Sequence, residues 1–305
     1  MLKTENQLNL YGLNNQINEL INLYKNKNLP NKILLSGTKG IGKSTMAYHF
    51  INYVLSEDEK YFYDNKNFKI NPENRSFKLI QNKTSPNFIL IDIHAEKKNI
   101  DISQIRNLIN NLQKTSFNSK PRFILIDNIE FLNLNSINAL LKILEEPTIN
   151  SYFILINNDK KILPTLKSRC LNFRISLSNR ESIEVSNKLI NQNVFDVINH
   201  NLLDYYASPG KIYNLIKFSE ENKIDLKEID LNDLINIIIS KNFYKKNNSN
   251  QNLILDFIEL YLVKNISKKY SEFYTYFLKK IDKTKRFNLD FESLLIEFKL
   301  KILNE

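Results

Sequence analysis

The sequence predicts an α/β domain with a mainly parallel sheet, followed by a helical region. Short apolar segments alternate with helical segments over residues 32–175, and this alternation is typical of parallel strands joined by helices. Three of the five glycines lie within residues 37–42, directly after the first predicted strand. Such a cluster indicates a place where the backbone needs unusual freedom or another group approaches it closely. After about residue 176 the strand signals stop.

Each strand of the predicted sheet is a short apolar run. The predicted strands are residues 32–36, Phe88–Ile91, Arg122–Ile126, Tyr152–Ile156 and Leu171–Ile175. The predicted helices around them are residues 14–28, 43–55, 103–114 and 135–146, each with apolar residues at helical spacing. Pro147 is expected to end the last of these helices. Residues 56–86 are polar and include Pro72 and Pro86, so no regular element is predicted there.

The helical region divides into two predicted parts. Residues 180–218 show the spacing of a small helical unit, and residues 230–302 show further helices around a polar loop at 241–252. The apolar stripe of Leu253, Phe257, Leu260 and Tyr261 is broader than a small domain is expected to bury, which favours a role in assembly. The predicted domains are therefore residues 1–177, 178–225 and 226–305.

Composition restricts the class of protein. Hydrophobic residues make up 42% of the 305 residues and charged residues 25%, as in globular proteins. The net charge of +10 fits contact with phosphate groups or an acidic partner, but it also fits a lysine-rich composition, and the lysines are spread along the whole chain.

Several functional classes are disfavoured by what the chain lacks. Cys170 is the only cysteine, which rules out an internal disulfide and a multi-cysteine zinc site. The three histidines are scattered without ligand spacing. No apolar run approaches the ~20 residues that a membrane span requires, and the N-terminus lacks the apolar core of a secretory signal. The expected location is the cytoplasm, away from membranes.

The glycine cluster carries the most specific motif. Residues Gly37–Ser44 (GTKGIGKS) match the phosphate-binding pattern G-x-x-x-x-G-K-[ST], between a predicted strand and a predicted helix. In this pattern backbone N–H groups hold phosphate oxygens at the positive end of a helix. Lys43 would neutralise the β- and γ-phosphates and Ser44 would bind Mg²⁺. The alternative is a chance glycine-rich turn, and the two correct flanks favour phosphate binding.

A carboxylate is expected at the end of a neighbouring strand to hold the Mg²⁺ shell. Asp127 follows the apolar run 123–126 and occupies such a position, although a strand-terminating aspartate without this role is the alternative. Asn128 follows it, at the position where many ATPases with this phosphate-binding pattern have a glutamate that polarises the attacking water. An amide can position water but cannot accept its proton. Glu130 lies two residues further along and cannot be assumed to reach the same place. Nucleotide binding is therefore expected with impaired hydrolysis.

Several segments resemble those of bacterial clamp-loader ATPase subunits. Residues 138–147 (NALLKILEEP) resemble their NALLKxLEEP segment, and residues 163–170 (LPTLKSRC) resemble LPxTIxSRC. Residues 29–35 and 102–106 are similar to the approach to the phosphate loop and to a helix start in that family. Together they cover residues 10–175 in the family's order. Beyond this stretch, Ser208–Lys211 (SPGK) resembles the start of a lid helix.

The resemblance implies an AAA+ domain, a helical lid and a helical collar through which several subunits assemble. In that family the assembly opens a ring-shaped sliding clamp and places it on primed DNA. The arginine of the SRC segment, here Arg169, would reach the ATP site of a neighbouring subunit, where a guanidinium stabilises charge on the γ-phosphate. A surface arginine in an ion pair is the alternative.

Departures from the family's pattern favour one subunit type. Residues 56–86 contain no cysteine, so the four-cysteine zinc module of many relatives is absent. The Asp-Glu pair of the motor subunits is Asp127-Asn128, and their sensor-2 arginine would fall near Gly210, with Lys211 the nearby cation. Sensor 1 would be Asn157 or Asn158. These differences favour the delta-prime type, which donates an arginine and need not hydrolyse ATP, although some delta-prime subunits lack the phosphate loop that this chain keeps.

The expected site binds ATP or ADP with Mg²⁺ and no zinc. Its nucleotide-binding candidates are Gly37, Thr38, Lys39, Gly40, Ile41, Gly42, Lys43, Ser44, Thr45, Asp127 and Asn157, with Ser44 and Asp127 near Mg²⁺ and Arg169 acting in trans. Expected partners are the gamma/tau and delta subunits, the sliding clamp and, through the complex, primer-template DNA. Two alternatives remain: a hydrolysing gamma/tau-type motor subunit, and an unrelated P-loop enzyme such as a nucleotide kinase.

Overall fold

The fold is taken from a computed structural model. It describes residues 4–94, 97, 99–112, 118–146, 150–204, 206–245, 248–265, 271–287 and 290–303. The predicted helix stop at Pro147 lies outside the described residues. The chain divides into two compact units, Met1–Lys188 with Ser208–Gly210, and Leu189–Ala207 with Lys211–Glu305. This division does not test the three predicted domains, which remain a prediction.

The first unit contains a five-stranded parallel sheet. Its strands are β1 (Lys32–Ser36), β2 (Phe88–Ile91), β3 (Arg122–Ile126), β4 (Ser151–Asn157) and β5 (Leu171–Arg174). Their order across the sheet is β2-β3-β4-β1-β5, and every pairing between neighbours is parallel. The predicted α/β class with a parallel sheet is confirmed. Because all strands run the same way, their carboxyl ends lie at one edge of the sheet.

The helices of this unit connect and cover the strands. They are α1 (Asn14–Lys25), α2 (Lys43–Leu55), α3 (Arg75–Gln81), α4 (Ile102–Leu112), α5 (Leu134–Glu145), α6 (Pro164–Lys167) and α7 (Asn179–Ile190), which ends just inside the second unit. The core contains fully buried aromatic rings, with Phe50 and Phe123 in an edge-to-face contact at 6.0 Å between ring centres.

Helix α3 corrects the sequence prediction, because it lies within the segment 56–86 that was expected to be irregular. The Asn74 side chain accepts a hydrogen bond from the Phe77 N–H at 2.7 Å and so caps the helix. Phe77 and Ile80 are buried. A helix of seven residues with two buried apolar positions is too short to produce a clear periodic pattern.

The described part of the second unit is helical. Its helices are α8 (Val194–Val197), α9 (Pro209–Asn222, whose first two residues belong to the first unit), α10 (Leu231–Ser240), α11 (Asn248–Lys264), α12 (Ser271–Phe287) and α13 (Phe291–Phe298), and a π-helical turn follows at Lys299–Leu303. Among the described residues, no helix has the length and apolarity of a membrane span.

The apolar stripe on α11 is largely used inside this unit. Phe257 is 4% exposed and Leu260 is 6% exposed, while Leu253 and Tyr261 are partly buried. Two of its four positions are covered and two stay partly exposed, so the stripe is mostly but, as expected, not fully buried. Assembly through residues 226–305 remains a prediction, without support from this stripe.

Candidate functional site

Three strand ends form the base of the candidate site. Ser36 ends β1, Asp127 directly follows β3, and Asn157 ends β4. The register places Ser36 beside Asn157. The expectation that the strand before Asp127 neighbours β1 is wrong, because β4 lies between β1 and β3. The insertion of β4 puts Asn157 between the phosphate loop and Asp127.

The loop Gly37–Gly42 requires its glycines. Gly40 and Gly42 have φ of +86° and +96°, in the left-handed region that side chains rarely adopt. At Gly37 a Cβ atom would lie 2.1 Å from the Ile175 carbonyl oxygen. Lys39 and Thr38 are exposed, Ile41 is buried, and Ser44 and Thr45 lie in the first turn of α2. The loop thus has the backbone freedom that a phosphate cradle requires.

Lys43 lies inside this loop. Its Nζ atom donates hydrogen bonds to the carbonyl oxygens of Gly37 and Thr38, both at 2.7 Å. The residue is only 3% exposed. Burial lowers the pKa of Lys43 to about 8, against the attraction of carboxylates that include Asp127 and Asp159. The loop therefore holds a buried cation where a phosphate group would need one.

Asp127 lies within reach of this positive charge. Burial and, to a smaller extent, the Asp92 carboxylate raise its pKa to about 6. Hydrogen bonds from the Ser44 hydroxyl and the Asn128 N–H, together with the charge of Lys43, act in the opposite direction. A partly buried carboxylate near a serine hydroxyl provides two oxygen ligands of the kind that Mg²⁺ prefers.

Asn128 is held in a chain of polar side chains. Its Nδ2 donates to Asp92 Oδ1 at 2.8 Å, and its Oδ1 accepts from Asn158 Nδ2 at 2.9 Å. Asn158 Nδ2 also donates to Glu130 Oε1 at 2.9 Å. Glu130 therefore does reach this group of residues, because the 3-10 turn Ile129–Phe131 folds it back towards the loop after β4. Both ends of the Asn128 amide are engaged.

The two asparagines considered for sensor 1 have different surroundings. Asn157 Nδ2 donates to the Lys160 carbonyl oxygen at 3.0 Å, while its Oδ1 is buried and has no hydrogen-bond partner among the described residues. Asn158 is committed to Asn128 and Glu130. The unpaired acceptor of Asn157 is the one that could accept a hydrogen bond from bound water.

The segment Ser208–Gly210 packs on the phosphate loop. The Gly210 N–H donates to the Gly40 carbonyl oxygen at 2.9 Å, and a Cβ atom on Gly210 would lie 2.9 Å from Gly40 Cα. In this arrangement a side chain at position 210, near which the resemblance implies a sensor-2 arginine, would strike the loop. Lys211, the predicted nearby cation, forms an ion pair with Asp256 at 3.3 Å.

Four residues near the loop were not predicted. They are Asp92, which contacts Asn128; Asp159, whose Oδ2 accepts from the Thr38 hydroxyl at 3.3 Å; Thr4, whose hydroxyl lies 3.4 Å from that of Ser44; and Leu13, which packs near Gly42. A signal existed for Asp92 and Asp159, since each follows a predicted strand and strand ends meet at one edge of a parallel sheet. Nothing in the local sequence indicates Thr4 or Leu13.

Arg169 lies outside this group. It follows α6, and its guanidinium donates to the Thr165 carbonyl oxygen at 2.7 Å and forms an ion pair with Glu145, the last residue of α5. Its side chain is 31% exposed. Cys170 beside it is partly buried, and burial raises the pKa of its thiol to about 11. Arg169 is thus a partly exposed cation held at the end of two helices.

The chain matches a known protein family over more than half of its length. The family described as "DNA polymerase III, delta subunit" matches residues 12–179. The chain is 34% identical over 151 residues to the DNA polymerase III subunit gamma of Buchnera aphidicola subsp. Schizaphis graminum, covering 49% of this chain and 39% of that protein. It is 30% identical over 139 residues to the DNA polymerase III subunit delta' of Pseudomonas aeruginosa, covering 45% of this chain and 40% of that protein.

A longer match extends beyond the sheet. The chain is 29% identical over 229 residues to the DNA polymerase III subunit delta' of Buchnera aphidicola subsp. Schizaphis graminum, covering 74% of this chain and 66% of that protein. The chain thus spans less than two thirds of each of these three relatives. Among solved structures, a gamma subunit-related protein from Thermotoga maritima superposes with a TM-score of 0.54 at 16% identity, covering 91% of this chain and 96% of that one, which supports the fold.

Proposed function

The chain belongs to the family described as DNA polymerase III, delta subunit, and from this we propose that it is a delta-prime-type subunit of a DNA polymerase III clamp loader. In this role it assembles with gamma/tau and delta subunits and helps to place a sliding clamp on primer-template DNA. The matches to delta' and gamma proteins support the assignment to this machine. Family membership argues against the unrelated P-loop enzyme.

The residues of the site fit a nucleotide with Mg²⁺. The glycines at 37, 40 and 42 leave the backbone open to phosphate oxygens, and Lys43 places a buried cation in the loop. Among the described residues, no group of three or more His, Cys, Asp or Glu side chains could hold a metal ion. Ser44 and Asp127 would therefore hold Mg²⁺ only together with phosphate oxygens of the nucleotide. Bound Mg²⁺ would neutralise phosphate charge.

Hydrolysis at this site is proposed to be weak. A general base must accept a proton from the attacking water, and an amide cannot do so. Asn128 stands directly after Asp127, and both its amide oxygen and its amide nitrogen are bonded to neighbouring side chains. The carboxylates of Asp92 and Glu130 lie in the same chain of polar side chains, and each accepts a hydrogen bond from an asparagine. The site is thus arranged to hold a nucleotide rather than to turn it over.

The observation that carries nucleotide binding is the buried Lys43 ammonium within the glycine loop. Lys43→Ala should remove most binding of ATP and ADP in isothermal titration calorimetry with Mg²⁺. Lys66→Ala, which changes an exposed lysine outside the site, serves as the matched control and should bind as the unaltered chain does. Unchanged affinity in Lys43→Ala would defeat the assignment of the loop.

Arg169 is proposed to act on the nucleotide of a neighbouring subunit. An engaged arginine of this kind can contribute about 10³-fold or more to turnover. Arg169→Ala should therefore lower the ATPase and clamp-loading rates of the reconstituted complex while nucleotide binding by this chain stays unchanged. Arg169→Lys should restore little, because an ammonium lacks the planar fork. Arg180→Ala, at an exposed arginine in an ion pair with Glu184, is the matched control.

A hydrolysing gamma/tau-type motor subunit is the second candidate. The 34% identity to a gamma subunit favours it, whereas Asn128 disfavours it. Steady-state ATP turnover of the purified chain separates the two. A rate on the order of 1 per second or more, the low end of common enzyme rates, would favour the motor subunit over the delta-prime type.

A further inference from the structure

The guanidinium of Arg169 is anchored on one side. One terminal nitrogen donates to the Thr165 carbonyl oxygen and the other donates to the Glu145 carboxylate. An arginine side chain has five N–H donors in a rigid plane. The two anchoring bonds use two of them and leave the remaining donors for a further anion.

Both anchors stand on rigid parts of the first unit. Glu145 is the last residue of α5 and follows Leu144, which is 1% exposed; Thr165 lies in α6 and precedes Leu166, also 1% exposed. Leu144 and Leu166 belong to the same hydrophobic core cluster. The backbone at the two positions that hold the guanidinium is therefore fixed by packing beneath it.

The strength of the ion pair decides between two roles for Glu145. The carboxylate could withhold Arg169 from a phosphate, or it could orient the arginine towards one. The side chains of Arg169 and Glu145 are 31% and 55% exposed, and exposed pairs contribute only about 0–1 kcal/mol. Such a pair is too weak to withhold the arginine from a polyanion. Together with the hydrogen bond to the Thr165 carbonyl oxygen, it still reduces the number of rotamers that this long side chain samples.

We propose that Glu145 is a positioning residue that holds Arg169 in the orientation in which it meets the phosphates of a neighbouring subunit's nucleotide. This inference rests on the proposed function of Arg169 in trans. Glu145 itself contacts no nucleotide in this role. It acts by lowering the conformational entropy that Arg169 loses when it engages.

The test is a double-mutant cycle in the reconstituted loader with ATP, clamp and primed DNA. Glu145→Ala should lower kcat for ATP by about 3- to 10-fold, since ordering one side chain costs about 0.5–1.5 kcal/mol, and should leave KM nearly unchanged. Glu145→Gln, which keeps an acceptor oxygen, should recover part of the loss. Glu146→Ala, at the adjacent exposed glutamate, is the matched control and should act as the unaltered chain does.

The cycle separates the possible outcomes. If Glu145→Ala adds no defect in an Arg169→Ala background, the two residues act together and the proposal holds. Equal losses in both backgrounds, or normal turnover of Glu145→Ala, would overturn it while the role of Arg169 stands. Faster ATP turnover with Glu145→Ala would show that Glu145 withholds Arg169 from the phosphates, and this would also overturn the proposal. Normal turnover of Arg169→Ala would instead defeat the proposed function. Thermal melting and ATP affinity of the isolated Glu145→Ala chain should be unchanged, and a lower melting temperature would count against a positioning role.

Discussion

Replacing Lys43 by methionine tests the cost of the buried cation in the phosphate loop. The pKa of Lys43 falls from its ordinary 10.5 to about 8 because the ammonium is buried, and each pKa unit corresponds to about 1.4 kcal/mol. Keeping Lys43 charged therefore costs the nucleotide-free protein about 3 kcal/mol near neutral pH. Lys43→Met removes this cost and also the two hydrogen bonds to Gly37 and Thr38, worth about 1 kcal/mol each. The net gain expected at pH 7 is on the order of 1 kcal/mol.

The pH dependence gives the sharper test. Between pH 8 and 10.5 the folded protein loses the Lys43 proton while the unfolded chain keeps it, so the free energy of unfolding rises with pH in this window. Between pH 7 and pH 10 the free energy of unfolding of the unaltered chain should thus rise by about 2–3 kcal/mol more than that of Lys43→Met. Urea unfolding of both proteins without nucleotide or Mg²⁺, followed by circular dichroism, measures this difference, and titrating groups remote from Lys43 cancel. A difference that does not change with pH would refute the reasoning.

Three further predictions concern single residues. Burial lowers the pKa of His49 to about 4. The free energy of unfolding should therefore fall by up to about 3 kcal/mol as the pH drops from about 6.5 towards 4. His49→Gln should flatten this pH dependence in urea unfolding, and an unaltered dependence would contradict the prediction. Gly210→Ala places a Cβ atom 2.9 Å from Gly40 Cα and should lower the free energy of unfolding by about 1–3 kcal/mol. The melting temperature should fall and ATP binding should weaken. An unchanged melting temperature would contradict the contact. Asn128→Asp sets a carboxylate against Asp92 in place of a 2.8 Å hydrogen bond and should lower the free energy of unfolding by about 1–3 kcal/mol. An unchanged free energy of unfolding in urea would show that this contact does not stabilise the fold.

Much of the sheet could be predicted because its strands are continuous apolar runs. Strands β1, β2 and β3 have the predicted bounds, and β4 and β5 differ by one or two residues. A strand buried between helices needs apolar side chains at nearly every position, which makes it visible locally. Helix α3 was not visible, since its seven residues are held by the Asn74 cap and by burial of Phe77 and Ile80, which depend on neighbours.

Part of the candidate site could likewise be predicted from the sequence, and part of it depends on the fold. The loop Gly37–Ser44 could be predicted because its chemistry requires particular residues at fixed spacing along the chain. The bonds of Asn128 to Asp92 and Asn158 could not, because they join residues about 30 or more positions apart. Only the folding of three strand ends onto one edge brings these side chains within hydrogen-bonding distance.

By itself, the sequence determined the α/β class, the phosphate loop, the lysine within it and the resemblance to clamp-loader subunits. Each of these depends on short-range periodicity or on contiguous motifs, which survive in the unfolded chain. The tertiary structure decided that β4 lies between β1 and β3, that Gly210 packs on Gly40, and that Arg169 is held by Glu145 and Thr165. Strand order and these contacts arise from packing between segments distant in the chain, and no local pattern specifies which of the possible partners will meet.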